Sequence, residues 1–244
     1  MAKSALAVDL DSGKVLYEKN SDEPLLPAST TKIVTALVSL DSYPLNQVIK
    51  VENVSVDGQK MGLVPGEEIK VEDLIYGLLI ASANDAAEVL AYNFPGGRDF
   101  FVAAMNAKAN ILGLKNTFFT NPTGLDQSGQ ITTAKDLVDI STFAMKNPVF
   151  SNAVSTKGIT VKSIDGKYTH KLTNVNQLLG RVNGVLGVKT GWTEEAGGNL
   201  VSYVERNNKK IMIAVLGSQD RFGETKILID WVFNNYNYGV DVGD

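Results

Sequence analysis

Apolar residues alternate at both ends of the chain and recur with helical spacing through its middle. Residues Ala5 to Glu18 read ALAVDLDSGKVLYE, two alternating runs around Asp11-Ser12-Gly13, which predicts a β-hairpin. Beyond Pro24 and Pro27, residues Ile33, Val34, Leu37, Val38 and Leu40 keep a helical period with a broad apolar face, which predicts a buried helix. Segment 46–71 carries short β-prone pieces and the turn Pro65-Gly66. The helical period returns from Val71 to Phe94, interrupted at Ser82-Ala83-Asn84. Pro95-Gly96-Gly97 breaks the chain before another amphipathic helix, Arg98 to Leu112. After a loop rich in Asn, Pro and Gly over 116–129, Thr133 and Asp136 form a capping-box variant that opens a helix to about Lys146. The pattern turns β-like after Val154. Asn199–Val204 and Lys210–Leu216 make a second hairpin around Asn207-Asn208, and Glu224 to Tyr236 closes as an amphipathic helix.

Strands at both ends and helices between them imply an α/β (α+β) fold. The expected architecture is an antiparallel sheet built from both termini and flanked by helices, with a mainly helical lobe inserted. The lobes fall at about 1–28 with 155–244 (sheet) and 29–154 (helical). A length of 244 residues suffices for one substantial core.

Composition narrows the chemistry. The formal net charge of -4 argues against a nucleic-acid partner. The absence of cysteine excludes disulfides, thiolate metal sites and a cysteine nucleophile, and it fits an exported bacterial protein. His170 is the one histidine, which weighs against a zinc hydrolase and against a Ser-His-Asp triad unless His170 is the base. No apolar run reaches the roughly 20 residues needed to cross a bilayer. No signal peptide is visible, so an exported protein would have its targeting segment outside this chain.

Three short motifs carry candidate chemistry. Ser29-Thr30-Thr31-Lys32 opens the helix after Pro27, and positions i and i+3 share a helical face, so the Lys32 amine can approach the Ser29 hydroxyl. A desolvated lysine can lose its proton near neutral pH and activate a serine. The break at Ser82-Ala83-Asn84 can aim a hydroxyl and an amide into a cleft, for proton relay and substrate holding. Lys189-Thr190-Gly191 follows the apolar Val185, Leu186 and Val188, a strand context in which Gly191 would admit a substrate backbone close to the edge. Each motif alone also fits an ordinary cap, turn or strand end. Their order together is the S-x-x-K, S-x-N and K-T-G set of β-lactamases and penicillin-binding proteins.

The resemblance extends beyond the motifs. PASTTK, SANDAAEVLA, TNPTGL, TTAKDL and GVKTGWTEEAGGNLV are similar to the D-alanyl-D-alanine carboxypeptidases among the low-molecular-mass penicillin-binding proteins, over about Ala5 to Tyr236. It implies a β-lactamase/transpeptidase-like fold and one serine D,D-peptidase catalytic domain over 1–244. It also implies an extracytoplasmic location (periplasm or outer face of the cytoplasmic membrane), peptidoglycan pentapeptides ending in D-Ala-D-Ala as substrate, β-lactams as covalent inhibitors, and neither metal nor cofactor. Carried onto this chain, Ser29 is the acylated nucleophile, Lys32 its base, and Ser82, Asn84 and Lys189 complete the catalytic set. Thr190, Gly191, Trp192 and Arg221 fall to substrate binding, with the N–H groups of Ser29 and Trp192 as the oxyanion hole. Ala83 stands where many relatives have Gly, and Gln130 about where many have His. His170 lies outside the motifs and reads as structural.

Two other readings share these residues. A class A β-lactamase needs a glutamate between the second and third motifs; Glu88 is the one candidate, and it reads as structural or solvent-facing. A non-catalytic peptidoglycan-binding protein would have lost polar motif residues, and all are present.

Overall fold

The computed structural model describes residues 1–52 and 55–236. Strands β1 (Ser4–Asp9) and β2 (Val15–Lys19) form the first hairpin. The last three strands are β7 (Lys189–Thr193), β8 (Gly197–Arg206) and β9 (Lys209–Ser218). They build one antiparallel sheet in the order β2-β1-β9-β8-β7, so both ends of the chain meet in its middle. Ser4 pairs with Leu216 and Asp9 with Ile211, which places β1 against β9 along its whole length. The hairpin between β8 and β9 turns at Asn207 and Asn208, both at positive φ, a conformation asparagine tolerates.

Between these strands lie α1 (Lys32–Ser42), α2 (Val71–Ile80), α3 (Asn84–Tyr92), α4 (Arg98–Ile111) and α5 (Ala134–Ala144). Thr133 caps α5 by accepting from the Asp136 N–H at 3.0 Å, the bond its spacing predicts. Small strands β3 (Val48–Lys50) and β4 (Glu68–Lys70) pair with each other. Helix α6 (Pro148–Ser155) has no counterpart in the periodicity, and the β-like stretch after Val154 resolves first into a hairpin. The helix is short, and its start is fixed by Asn147 capping the N–H groups of Val149 and Phe150. The hairpin of β5 (Gly158–Lys162) and β6 (Thr169–Thr173) packs on α2. Helix α7 (Arg221–Asn235) covers the outer face of the main sheet.

The sheet separates two apolar clusters. Leu6, Val201, Met212, Ala214 and Leu216 point from one face into the helices, where Leu74, Ile75, Leu78, Leu79 and Ile80 of α2 are fully buried. Burying each such side chain contributes about 1.5–3 kcal/mol. Ala5, Ala7, Leu200, Ile213 and Val215 point the other way onto Leu228, Ile229 and Val232 of α7. Helix α1 runs through the inner cluster with every residue from Lys32 to Ser39 buried. A lysine at the start of so apolar a helix needs a chemical reason.

The solvent-facing alternative for Glu88 does not hold. Its carboxylate is buried on α3 and takes two bonds from Arg98, at 2.7 Å from Nε and 3.0 Å from Nη2. Removing one partner of a buried pair strands the other charge. Arg98→Met is therefore expected to cost about 2–3 kcal/mol, discounted because the Arg98 side chain is 28% exposed, and to lower Tm by about 5–10 °C in a thermal melt.

Candidate active site

Segment 26–31 is tied down from β8. Asn199 donates to the carbonyls of Leu26 at 2.9 Å and Pro27 at 3.0 Å, and its own oxygen accepts from Gly217 at 2.9 Å. Ser29 then sits in a 3₁₀ turn, Ala28–Thr31, immediately ahead of α1 rather than inside it. Ala28 has φ +48, a left-handed conformation costing an alanine about 1–2 kcal/mol, so the turn before Ser29 is held against its own preference. Strand β7 packs directly on this turn. A Cβ on Gly191 would lie 2.9 Å from the Ser29 nitrogen and 3.2 Å from the Pro27 oxygen. Glycine is therefore required there by the Ser29 backbone, in addition to any substrate strand that the sequence suggested it would admit.

Lys32 Nζ lies 3.0 Å from Ser29 Oγ and donates to the Thr123 carbonyl at 2.6 Å. That carbonyl is aimed by Asn121, whose oxygen accepts from Thr123 N at 3.2 Å, Thr123 Oγ1 at 2.9 Å and Gly124 N at 2.7 Å. Burial, with Lys189 adding like charge, pushes the Lys32 amine well below the usual lysine value, while Glu88 and Asp85 pull it partly back. A neutral Lys32 anchored to Thr123 presents its lone pair to the Ser29 hydroxyl.

Ser82 occupies the break between α2 and α3 with φ +57, another strained position. Its Oγ accepts from Lys189 Nζ at 2.8 Å, and the same amine donates to the Thr190 carbonyl at 3.0 Å. Burial and the Arg221 charge lower Lys189 to about 7. Asn84 is buried, its Nδ2 donating to the Asp57 carbonyl at 2.6 Å and its Oδ1 lacking a partner among the described residues. Ser29, Ser82, Thr190, Gly191, Trp192 and Arg221 line one cleft of about 380 Å³, joined by Gln59 and Val175, which the motifs did not flag. Trp192 stands 62% exposed at its rim. Arg221 opens α7, stacks 4.6 Å from the Phe222 ring, and keeps a buried Nε without a partner among the described residues.

The geometry thus brings the motif residues to one cleft, with Lys32 and Lys189 buried beneath Ser29 and Ser82. Asn84 is the exception: its amide is turned to the segment around Asp57. His170 lies elsewhere, its ring nitrogens 2.7 Å from the Glu67 carboxylate and 3.1 Å from the Met61 carbonyl. Gln130 is buried and donates to the Leu125 carbonyl at 3.1 Å, which supports the loop behind Lys32. Asn199 and Asn121 went unremarked in the sequence as single residues. They stand inside GGNLV and TNPTGL, so the signal lay in those segments and not in any spacing rule.

A model of the D-alanyl-D-alanine carboxypeptidase family matches residues 1–220. The chain belongs to that family. Among its relatives, D-alanyl-D-alanine carboxypeptidase DacF of Bacillus subtilis is 36% identical over 246 residues, covering 96% of this chain and 63% of the relative. The chain therefore spans somewhat less than two thirds of that relative's length. D-alanyl-D-alanine endopeptidase of Escherichia coli is 34% identical over 94% of this chain and 76% of its own length. The crystal structure of a Streptomyces DD-transpeptidase superposes with a TM-score of 0.90 at 31% identity, over 96% of this chain and 97% of that one. The carboxypeptidase-family fold expected from the motifs is thus the fold of this chain. No described helix is long and apolar enough to cross a membrane.

Proposed function

We propose that this carboxypeptidase-family chain is a serine D,D-carboxypeptidase that removes the terminal D-alanine from peptidoglycan stem peptides and is acylated by penicillins. The observation that carries this reading is Lys32, buried, driven toward its neutral form, and 3.0 Å from Ser29 Oγ. In this reading Ser29 Oγ attacks the carbonyl of the penultimate D-alanine while its proton passes to Lys32. The Ser29 and Trp192 N–H groups hold the oxyanion. Ser82, hydrogen-bonded to Lys189, relays a proton to the departing amine, D-alanine leaves, and water then hydrolyses the ester. The chain acts as one catalytic unit of two lobes, 1–28 with 155–244 and 29–154, of which positions 53–54 and 237–244 lie outside the described residues. Its proposed place of action is extracytoplasmic, at the cell wall on which the family acts.

The class A β-lactamase alternative loses its base, because Glu88 is held by Arg98. Incubation with diacyl-L-Lys-D-Ala-D-Ala should release D-alanine. No release, with release from cross-linked peptide instead, would make the chain an endopeptidase.

A carboxypeptidase must sense a free terminal carboxylate, and Thr190 and the half-buried Arg221 offer donors in the cleft. Amidation of the substrate C-terminus is expected to lower kcat/KM by roughly 10²-fold or more. Arg221→Ala should depress turnover and largely erase the difference between acid and amide. Equal sensitivity in the two enzymes would remove Arg221 from substrate recognition.

A further inference from the structure

One wall of the cleft is a loop outside every motif, and the residue that holds it follows Asn84 directly. Asp85 is buried at the start of α3. Its Oδ1 accepts from the Met61 N–H at 3.0 Å and from its neighbour Ala86 at 3.0 Å. Its Oδ2 accepts from Gly62 at 2.9 Å and Leu63 at 3.1 Å. Three consecutive loop amides thus converge on one carboxylate, an anion nest closed by a side chain of the protein itself. The same loop meets Asn84 twice: Gln59 accepts from the Asn84 N–H at 2.7 Å, and Asp57 accepts from Nδ2 at 2.6 Å. The His170 contact to the Met61 carbonyl adds a fastening from β6. Gln59, carried between these ties, is the loop residue that lines the cleft with Ser29 and Ser82.

We propose that Asp85 is a positioning residue, whose carboxylate fixes segment 57–63 so that Gln59 faces the cleft and contacts the backbone amides of a peptide acylating Ser29. Glutamine offers both a donor and an acceptor, the pairing that an extended peptide presents. An acid is required at position 85 because every group facing it donates. An amide there would set its own N–H₂ against backbone N–H groups, each a lost bond and an unsatisfied donor.

The inference rests on the carboxypeptidase reading, and the assay separates the two. Wild type, Gln59→Ala, Asp85→Asn and the double variant would be compared in D-alanine release from the diacyl tripeptide and in the acylation rate by benzylpenicillin, a shorter ligand. Asp85 also lies among the charges acting on Lys32, so rates are taken on the high-pH plateau, where Lys32 is neutral in all variants. Gln59→Ala should raise KM for the peptide by roughly 10-fold, as for a lost pair of neutral hydrogen bonds. Asp85→Asn should do at least as much, while penicillin acylation falls less than 3-fold in both. The double variant should be no worse than Asp85→Asn alone, because the two act through one contact. Gly62→Ala supplies a variant without charge change: its φ is +86, a conformation alanine adopts only under strain, and nothing stands within 4 Å of the added Cβ, so the strain falls on the loop alone. It should reproduce the selective loss even if Asp85→Asn fails to fold. Multiplying losses in the double variant, or equal losses toward peptide and penicillin, would overturn the inference. A wild type that neither releases D-alanine nor takes up penicillin would instead overturn the activity on which it rests.

Discussion

Ser29→Ala is expected to abolish both D-alanine release and penicillin labelling. The mechanism has one attacking atom, and alanine removes it without disturbing the turn, because the ties from Asn199 reach Leu26 and Pro27 rather than the serine side chain. Knocking out the nucleophile of a serine hydrolase costs on the order of 10⁶-fold in kcat. Here the residual rate should be indistinguishable from background. Intact-mass spectrometry after a penicillin pulse checks it: wild type gains the mass of the drug, and Ser29→Ala gains nothing. An adduct on Ser29→Ala would move the nucleophile elsewhere, with Ser82 the next hydroxyl in the cleft. Wild-type protein returning to its unmodified mass within seconds, with steady drug hydrolysis, would mark a β-lactamase instead.

Lys32→Arg should be nearly as damaging for a different reason. Arginine keeps the positive charge and loses the base, since a guanidinium stays protonated at any working pH. A loss of roughly 10³-fold or more in acylation is the scale for removing a general base that also anchors the nucleophile. Wild-type acylation should rise with pH as Lys32 becomes neutral and level off below the ordinary lysine value of 10.5. The sign for stability follows from the same displacement. Between the folded and unfolded titrations the unfolded chain binds the extra proton, so stability rises with pH there and is lost as pH falls toward the folded value. Lys189, titrating at about 7, contributes in the same direction from about 7 upward. Lys32→Met, uncharged and of similar length, should therefore hold or raise Tm at neutral pH while removing turnover. A marked fall in Tm for Lys32→Met would show that the amine is structural.

How far the fold was legible follows from which forces set each element. The terminal hairpins and α2 to α5 announced themselves because one face of each is buried, which imposes a period. Helix α6 did not, since eight residues make barely two turns and the Asn147 cap defines it. The three motifs point to Ser29, Lys32, Ser82 and Lys189, which the fold brings into contact in pairs, as a shared reaction would require. The supports were harder to see. Asn121, Asn199 and Asp85 act through backbone groups that any residue could supply, so no pairing in the sequence betrays their partners. For Glu88 the apolar neighbours in sequence give no sign of its partner Arg98, one turn and a break away.

The sheet order also sets when catalysis becomes possible during synthesis. β1 is made first, yet its partner β9 is among the last elements to be made, since Ser4 faces Leu216. Helices α1 to α4 pack mostly on one another and can associate early, whereas α5 rests on β9 and β1, and closing the sheet waits on a contact of very high sequence separation. Lys189 and the strand that packs on Ser29 arrive in the same late portion. A nascent chain stopped before β7 thus carries Ser29 and Lys32 close in sequence without the strand that packs on their turn. Under the proposed mechanism, a chain lacking β7 to β9 is expected to be unreactive toward penicillin, however well its helices have formed.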